Sequence, residues 1–237
     1  MRKPPAALVR LRAAFAGPRG RRRALLALAL PAAAFAAVAV ARSGLEAPAP
    51  TLLVHDRAGR FLGELPERGD ERLGFWRLDE VPARVAAATI AIEDRRFRSF
   101  WHLGVDPLAV GRALVQNLGA SRRVSGASTL AMQVARMQRP GARGYLRKLV
   151  EAATAVALTL RHGRDGVLAQ YLRIVPYGHR IHGIGYAARR YLGKPVEDLS
   201  WAEVAFLSAL PQAPGRMNPY LPQGRARANA RVRPAGA

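Results

Sequence analysis

Residues 24 to 41 form an unbroken stretch without a charged side chain. Eight basic residues (Arg2, Lys3, Arg10, Arg12, Arg19, Arg21, Arg22 and Arg23) precede it, and no acidic residue occurs before Glu46. As a helix the stretch would span roughly 27 Å at about 1.5 Å per residue, enough for one bilayer crossing. Pro31 is tolerated in such a helix, and the upstream arginines place the amino terminus in the cytoplasm and everything after Arg42 on the other side. Ala39-Val40-Ala41 also fits a signal-peptidase site, so a cleaved leader competes with a retained anchor, which the length of the run favours. The expected organisation is a basic cytoplasmic tail over 1–23, a transmembrane helix over 24–41, a linker over 42–50 and an exported catalytic domain over 51–220. An Arg-, Ala-, Pro- and Gly-rich tail without order follows over 221–237.

The net charge of +22 first suggests nucleic acid or an anionic membrane. A basic cluster placed directly before an apolar run reads instead as a topology signal, and export argues against nucleic acid as a partner. The chain has no cysteine, which excludes a disulfide framework, a thiol nucleophile and zinc–thiolate sites.

Beyond the linker, Thr51 to His55 and Arg60 to Leu65 read as a small hairpin around Asp56-Arg57-Ala58-Gly59. From Pro82 onward the periodicity is helical. Val85, Ala88, Thr89 and Ile92 form one stripe, and Leu108, Gly111, Leu114, Val115 and Leu118 form another after Pro107. Ser200-Trp201-Ala202-Glu203 is a capping box opening a helix that Pro211 stops. The expected fold class is mainly α with a small N-terminal β-hairpin.

Three stretches carry chemistry. In Glu93-Asp94-Arg95-Arg96-Phe97, Glu93 lies four residues after Thr89 at the edge of a buried stripe, a half-desolvated place suited to a proton acceptor. In Gly126-Ala127-Ser128-Thr129-Leu130-Ala131-Met132-Gln133, hydroxyls and backbone N–H groups open a helix. Thr129, Gln133 and Arg136 share its polar face and Leu130, Val134 and Met137 its packing face. In Arg147-Lys148-Leu149-Val150-Glu151, one helical turn holds two cations and a carboxylate. Taken singly, each has a plain alternative: a helix end with a salt link, an ordinary N-cap, a surface ion pair.

Taken in this order and spacing, they resemble the family 51 peptidoglycan glycosyltransferases, the transglycosylase module of class A penicillin-binding proteins. The likeness continues through Leu168, Tyr171-Leu172, Tyr177-Gly178, Gly183, Tyr191-Leu192-Gly193-Lys194 and Leu210-Pro211-Gln212-Ala213-Pro214. Asp56-Arg57-Ala58-Gly59, Trp76-Arg77 and the Pro-Gln-Ala-Pro segment lean toward the C-type branch. The resemblance implies a lysozyme-like transglycosylase fold and glycan-strand polymerisation from lipid II, by inverting transfer that forms β-1,4 bonds and releases undecaprenyl diphosphate.

It also implies Glu93 as general base and Glu151 as second catalytic carboxylate. Asp94, Phe97, His102, Ser128, Thr129, Gln133, Arg136, Arg147 and Lys148 are the implied substrate-binding residues. Glu151 could alternatively hold a divalent cation, Mg or Mn, beside the phosphates. The implied partners are lipid II, the growing strand, the membrane and a transpeptidase or other wall-synthesis proteins, with localisation at the cytoplasmic membrane as a single-pass protein. A glycan-cleaving lysozyme-like enzyme and a non-catalytic lipid II-binding scaffold are the rival functions.

The chain departs from the family pattern at Ala131, Ala169 and Arg173. It also carries two residues more between Phe97 and His102 than the Phe-x-x-His-x-Gly spacing, which leaves the place of His102 relative to Glu93 open.

Overall fold

Helix α1 runs from Pro18 to Ala41 through Pro31 in the computed structural model, which describes residues 18–66, 69, 71–118, 128–142, 144–217 and 219–232. Leu25, Leu26, Leu28, Leu30, Val38 and Val40 along α1 are all exposed. Side chains of α1 are described from Leu25 onward and at Arg22. Among the described residues no helix is long and apolar enough to cross a membrane.

The segment expected as a linker is irregular but not free. The carbonyl of Gly44 accepts from Gln138 Nε2 at 2.7 Å and that of Glu46 from Gln170 Nε2 at 2.6 Å, while Ser43 is buried. Residues 42 to 50 are therefore strapped along the domain, because their backbone polar groups meet amide side chains that sequence spacing could not foresee.

Strands β1 (Leu52–His55) and β2 (Phe61–Leu65) form the expected antiparallel hairpin, with Leu52 opposite Leu65 and Gly59 at φ 79° in the turn. A second sheet has the order β3-β5-β4. In it β3 (Leu73–Gly74) runs parallel to β5 (Ile181–His182), and β5 antiparallel to β4 (Pro176–Gly178).

The other regular elements of the described residues are helical: α2 (Ala83–Glu93), α3 (Pro107–Leu118), α4 (Leu130–Gln138), α5 (Tyr145–Ile174), α6 (Ile184–Leu192), α7 (Trp201–Ala209) and α8 (Pro222–Val232), with 3-10 turns at Val196–Asp198 and Leu210–Gln212. The mainly α expectation holds. The expectation of a structureless tail does not, since α8 packs on α7 and buries Ala228 completely. An arginine-rich composition hid it: only one small apolar face is needed to dock a helix whose other sides stay in water.

The core forms where α5 crosses α4. Glu151, Thr154, Ala155, Leu158 and Thr159 line its first half and Val167, Leu168, Tyr171 and Leu172 its second, a spacing of three and four that keeps one face inward. Between the halves Gly163 takes φ 69° and ψ 172°, which breaks the helix direction. Helix α4 buries more than its predicted stripe. Leu130, Ala131, Met132, Val134 and Ala135 are all inside, so Ala131, which replaces a hydroxyl of the family pattern, is a packing residue.

The capping box of α7 forms as read. Ser200 Oγ accepts from Glu203 N, and Glu203 Oε2 accepts from Ser200 N at 2.8 Å. Lys194 Nζ donates to Glu203 Oε1 at 2.7 Å. The lysine bond first, then the two Ser200 bonds, hold the Glu203 pKa down to about 2 against an ordinary 4.5. A depressed folded pKa means that this contribution to stability is present above about pH 4.5 and is lost as pH falls toward 2. Glu203→Gln, which keeps the capping box but not the charge, should therefore show a smaller loss of stability than the parent between pH 6 and pH 3 in urea titrations.

Candidate active site

A cleft of about 220 Å³ opens where α2 ends, α3 begins and the chain enters α4; its lining includes Glu93, Asp94, Arg95, Arg96, Asp106, Arg112, Ser128 and Thr129. Glu93 is the last residue of α2, and its Oε2 accepts from Gln133 Nε2 of α4 at 2.9 Å. Among the described residues Glu93 makes no ion pair, and its carboxylate is held by a neutral amide.

The other two carboxylates of the cleft are committed to structure. Asp94 Oδ2 accepts from Leu130 N at 3.1 Å and lies 3.1 Å from His102 Nε2, a close contact whose angles fall short of a hydrogen bond. Asp106 caps α3 through Ala109 N at 3.0 Å and pairs with Arg96 at 2.7 Å. Burial acts to raise the pKa of Asp106, but the Arg96 bond and the α3 backbone N–H groups outweigh it and hold the carboxyl below its ordinary value.

His102 has no exposed surface and packs edge to face with Phe97, which is itself buried, at 5.8 Å between ring centroids. Phe97 and His102, expected at the substrate, are both buried and neither lines the cleft. They are the packed support under the turn that follows Glu93, because an aromatic pair this deep can reach a ligand only through what rests on it. The extra residues of the loop do not displace His102 from Asp94; they loop outward as Phe100 and Trp101.

Thr129 fixes the entry to α4. Its Oγ1 accepts from Met132 N at 3.2 Å and donates to the carbonyl of Gly104 at 2.6 Å. Thr129→Val removes the cap and strands a buried carbonyl, so a loss of about 2–3 kcal/mol in denaturant unfolding is expected. Thr129→Ser should retain most of the stability. Lys148 Nζ donates to Ser128 Oγ at 2.6 Å, which ties it to a residue that lines the same cleft as Glu93.

Arg147 Nε pairs with Glu151 Oε1 at 2.9 Å, and its other end donates to the carbonyl of Arg139. Glu151 is 6% exposed and lies one helical turn before Ala155, whose carbonyl meets Gly104. Held by Arg147, it does not fit the expected Mg or Mn role: a resident cation would have to displace the guanidinium. Among the described residues no group of three or more His, Asp or Glu side chains could hold a metal. Arg136 is exposed at the end of α4.

Behind Glu93 stand two tyrosines whose role the sequence did not signal beyond their place in a motif. Burial first, then the Glu93 charge, pushes the phenols of Tyr171 and Tyr177 far above their ordinary range, while Arg136 opposes the shift at Tyr171. Asp106 and Arg112 are further cleft residues that the motifs did not mark, and Arg96 of the first stretch joins them without having been singled out. Asp106 before Pro107 is visible as a cap in the sequence, but its place in the same cleft as Glu93 is not. Arg173, a departure from the family pattern, donates through Nε to the carbonyl of Phe75 at 3.0 Å and supports the second sheet. The basic segment 1–17, Arg122-Arg123, Ser125 and Gly126-Ala127 lie outside the described residues.

Residues 58–234 match the protein family described as Transglycosylase. The chain belongs to the transglycosylase family. It is 40% identical to Penicillin-binding protein 1C of Escherichia coli K12 over 151 residues, which covers 62% of this chain and 19% of that protein. Identity is 38% with Penicillin-binding protein 1B of Vibrio cholerae over 173 residues (71% and 22%) and 35% with Penicillin-binding protein 1A of Neisseria flavescens over 181 residues (76% and 22%). The chain thus spans about a fifth of the length of these curated relatives. The transglycosylase match takes in the whole cleft, from Ile92 to Thr129, and also α8, which falls in the segment expected as a tail. A larger cavity of about 500 Å³, lined by Glu46, Phe75, Gln138 and His182 among others, contains none of the expected site residues.

Proposed function

We propose that the chain polymerises peptidoglycan glycan strands from lipid II on a lysozyme-like transglycosylase fold. The observation that carries this reading is one cleft lined by both Glu93, a carboxylate with no ion pair among the described residues, and Ser128, whose hydroxyl accepts from Lys148. Glu93 takes the proton from the 4-hydroxyl of the acceptor N-acetylglucosamine. The freed oxygen attacks C1 of the donor N-acetylmuramic acid, the C1–O bond to diphosphate breaks, and configuration inverts to a β-1,4 link. The negative charge leaves on undecaprenyl diphosphate, where Lys148, Arg147 and Arg136 neutralise it. A diphosphate leaves as a weak base, so cations suffice and no strong acid is needed.

Gln133 aims the Glu93 carboxylate, Asp94 and Thr129 hold the α2 and α4 ends in register, and Glu151 orients Arg147. Helix α1, uncharged from Ala24 to Ala41 with its leucines exposed, is proposed as the membrane anchor that places this cleft outside the cytoplasm at the lipid substrate. The identity with Penicillin-binding protein 1C supports the C-type branch. A transpeptidase acting on the same strands is the proposed partner class.

Purified full-length chain incubated with lipid II in detergent should yield polymeric glycan. Release of muropeptides from isolated sacculi with no polymer formed would replace this reading with the cleaving one, because hydrolysis needs a protonated acid at the glycosidic oxygen.

A further inference from the structure

Between α2 and α3 the chain exposes a cluster of large apolar side chains: Phe100 is 83% exposed, Leu103 48% and Trp101 42%. The two rings pack on each other edge to face at 4.8 Å between centroids rather than on the core. Single exposed apolar residues are ordinary, but three within four positions, two of them aromatic, form a patch.

The patch is presented rigidly. The Arg164 guanidinium donates to the carbonyls of Ser99 at 2.7 Å, His102 at 3.2 Å and Phe100 at 3.3 Å, and Arg98 pairs with Asp165 at 2.7 Å. Three carbonyls gathered by one side chain hold the loop tip outward, so the exposure is built in.

The same corner receives the end of α1. His162 Nε2 lies 2.8 Å from the carbonyl of Ser43, two residues beyond Ala41. His162, Arg164 and Asp165 flank the Gly163 break in α5, so the exit of α1 and the aromatic loop are pinned to one short segment. Exposed Arg95 and Arg161 supply positive charge beside it.

We propose that Phe100 and Trp101 are a second membrane contact, seated in the headgroup region of an anionic bilayer, which fixes the orientation of the cleft relative to the surface. This rests on α1 as the anchor. Indole and phenyl rings prefer the boundary between hydrocarbon and headgroups, and arginines beside them meet anionic lipid. Residues 42 to 50 strap α1 to the domain, but one anchor fixes only where the domain meets the bilayer and leaves its tilt against the surface open. With a second contact at the loop that directly follows Glu93 and Arg96, the mouth of the cleft is held at the depth of a lipid-borne headgroup.

The test uses full-length chain reconstituted in phosphatidylglycerol vesicles with and without lipid brominated near the headgroup. The emission difference between the parent and Trp101→Phe isolates this indole from Trp76 and Trp201. That difference should fall about twofold or more with brominated lipid. Arg164→Ala, which releases the loop, should weaken the quenching while the protein still floats with the vesicles. Flotation without quenching of Trp101 overturns the second contact and leaves the anchor standing. Failure to float overturns both. A Trp101-dependent cross-linked dimer without quenching would assign the patch to contact between copies and also overturn the proposal.

Discussion

Glu93→Gln is expected to lower the rate of glycan polymerisation by about 10²–10⁴-fold, the usual contribution of a positioned general base. In barrier height this is about 3–5 kcal/mol. The substitution is chosen because it changes charge and little else. The amide oxygen can still accept from Gln133 Nε2, which lies 2.9 Å from Glu93 Oε2 in the parent, so the end of α2 and the shape of the cleft stay as they are. Thermal unfolding should be nearly unchanged. Binding of lipid II should survive as well, since Lys148, Arg147 and Ser128 are untouched. The informative comparison is thus turnover against binding and stability. A Glu93→Gln protein that polymerises at close to the parental rate would take the base role away from this residue. The parallel variant Asp94→Asn should lose stability as well as activity, because Asp94 accepts from Leu130 N and faces the buried His102.

Gly104→Ala should cost about 3 kcal/mol or more in denaturant unfolding and take activity with it. Gly104 sits at φ 87°, where an L side chain is strained, and an added Cβ would lie 2.3 Å from the Ala155 carbonyl oxygen and 2.6 Å from Thr159 Oγ1. The obstacle is backbone of the long core helix, which cannot swing aside as a side-chain tip could. Whatever yields will move the Gly104 carbonyl, the acceptor of the Thr129 hydroxyl, and with it the start of α4 and Ser128. Gly59→Ala is the control. Gly59 has a similar φ of 79°, but an added Cβ would meet nothing within 4 Å, so conformational strain alone should cost about 1 kcal/mol. Equal losses at the two sites would mean that the close approach of loop and helix at Ala155 does not matter.

What could be read from the residues in order was whatever depends on neighbours along the chain. The hairpin around Asp56-Arg57-Ala58-Gly59, the helix after Pro107 and the Ser200–Glu203 capping box are set by φ preferences and by bonds spanning three or four positions. The order of the three chemical stretches was enough to reach the family, which the match over residues 58–234 shows.

Tertiary structure decided what depends on contacts far apart in sequence. His102 and Phe97 became buried beneath the turn after Glu93, and Asp106 and Arg96 entered the cleft. Residues 42 to 50 became a strap and residues 222 to 232 a docked helix. Spacing tells which side chains share a face, but not which face another element will cover. Glu93 was a candidate from its motif; that it shares a cleft with Ser128, thirty-five positions on and bonded to Lys148, is decided only by how α2 and α4 pack.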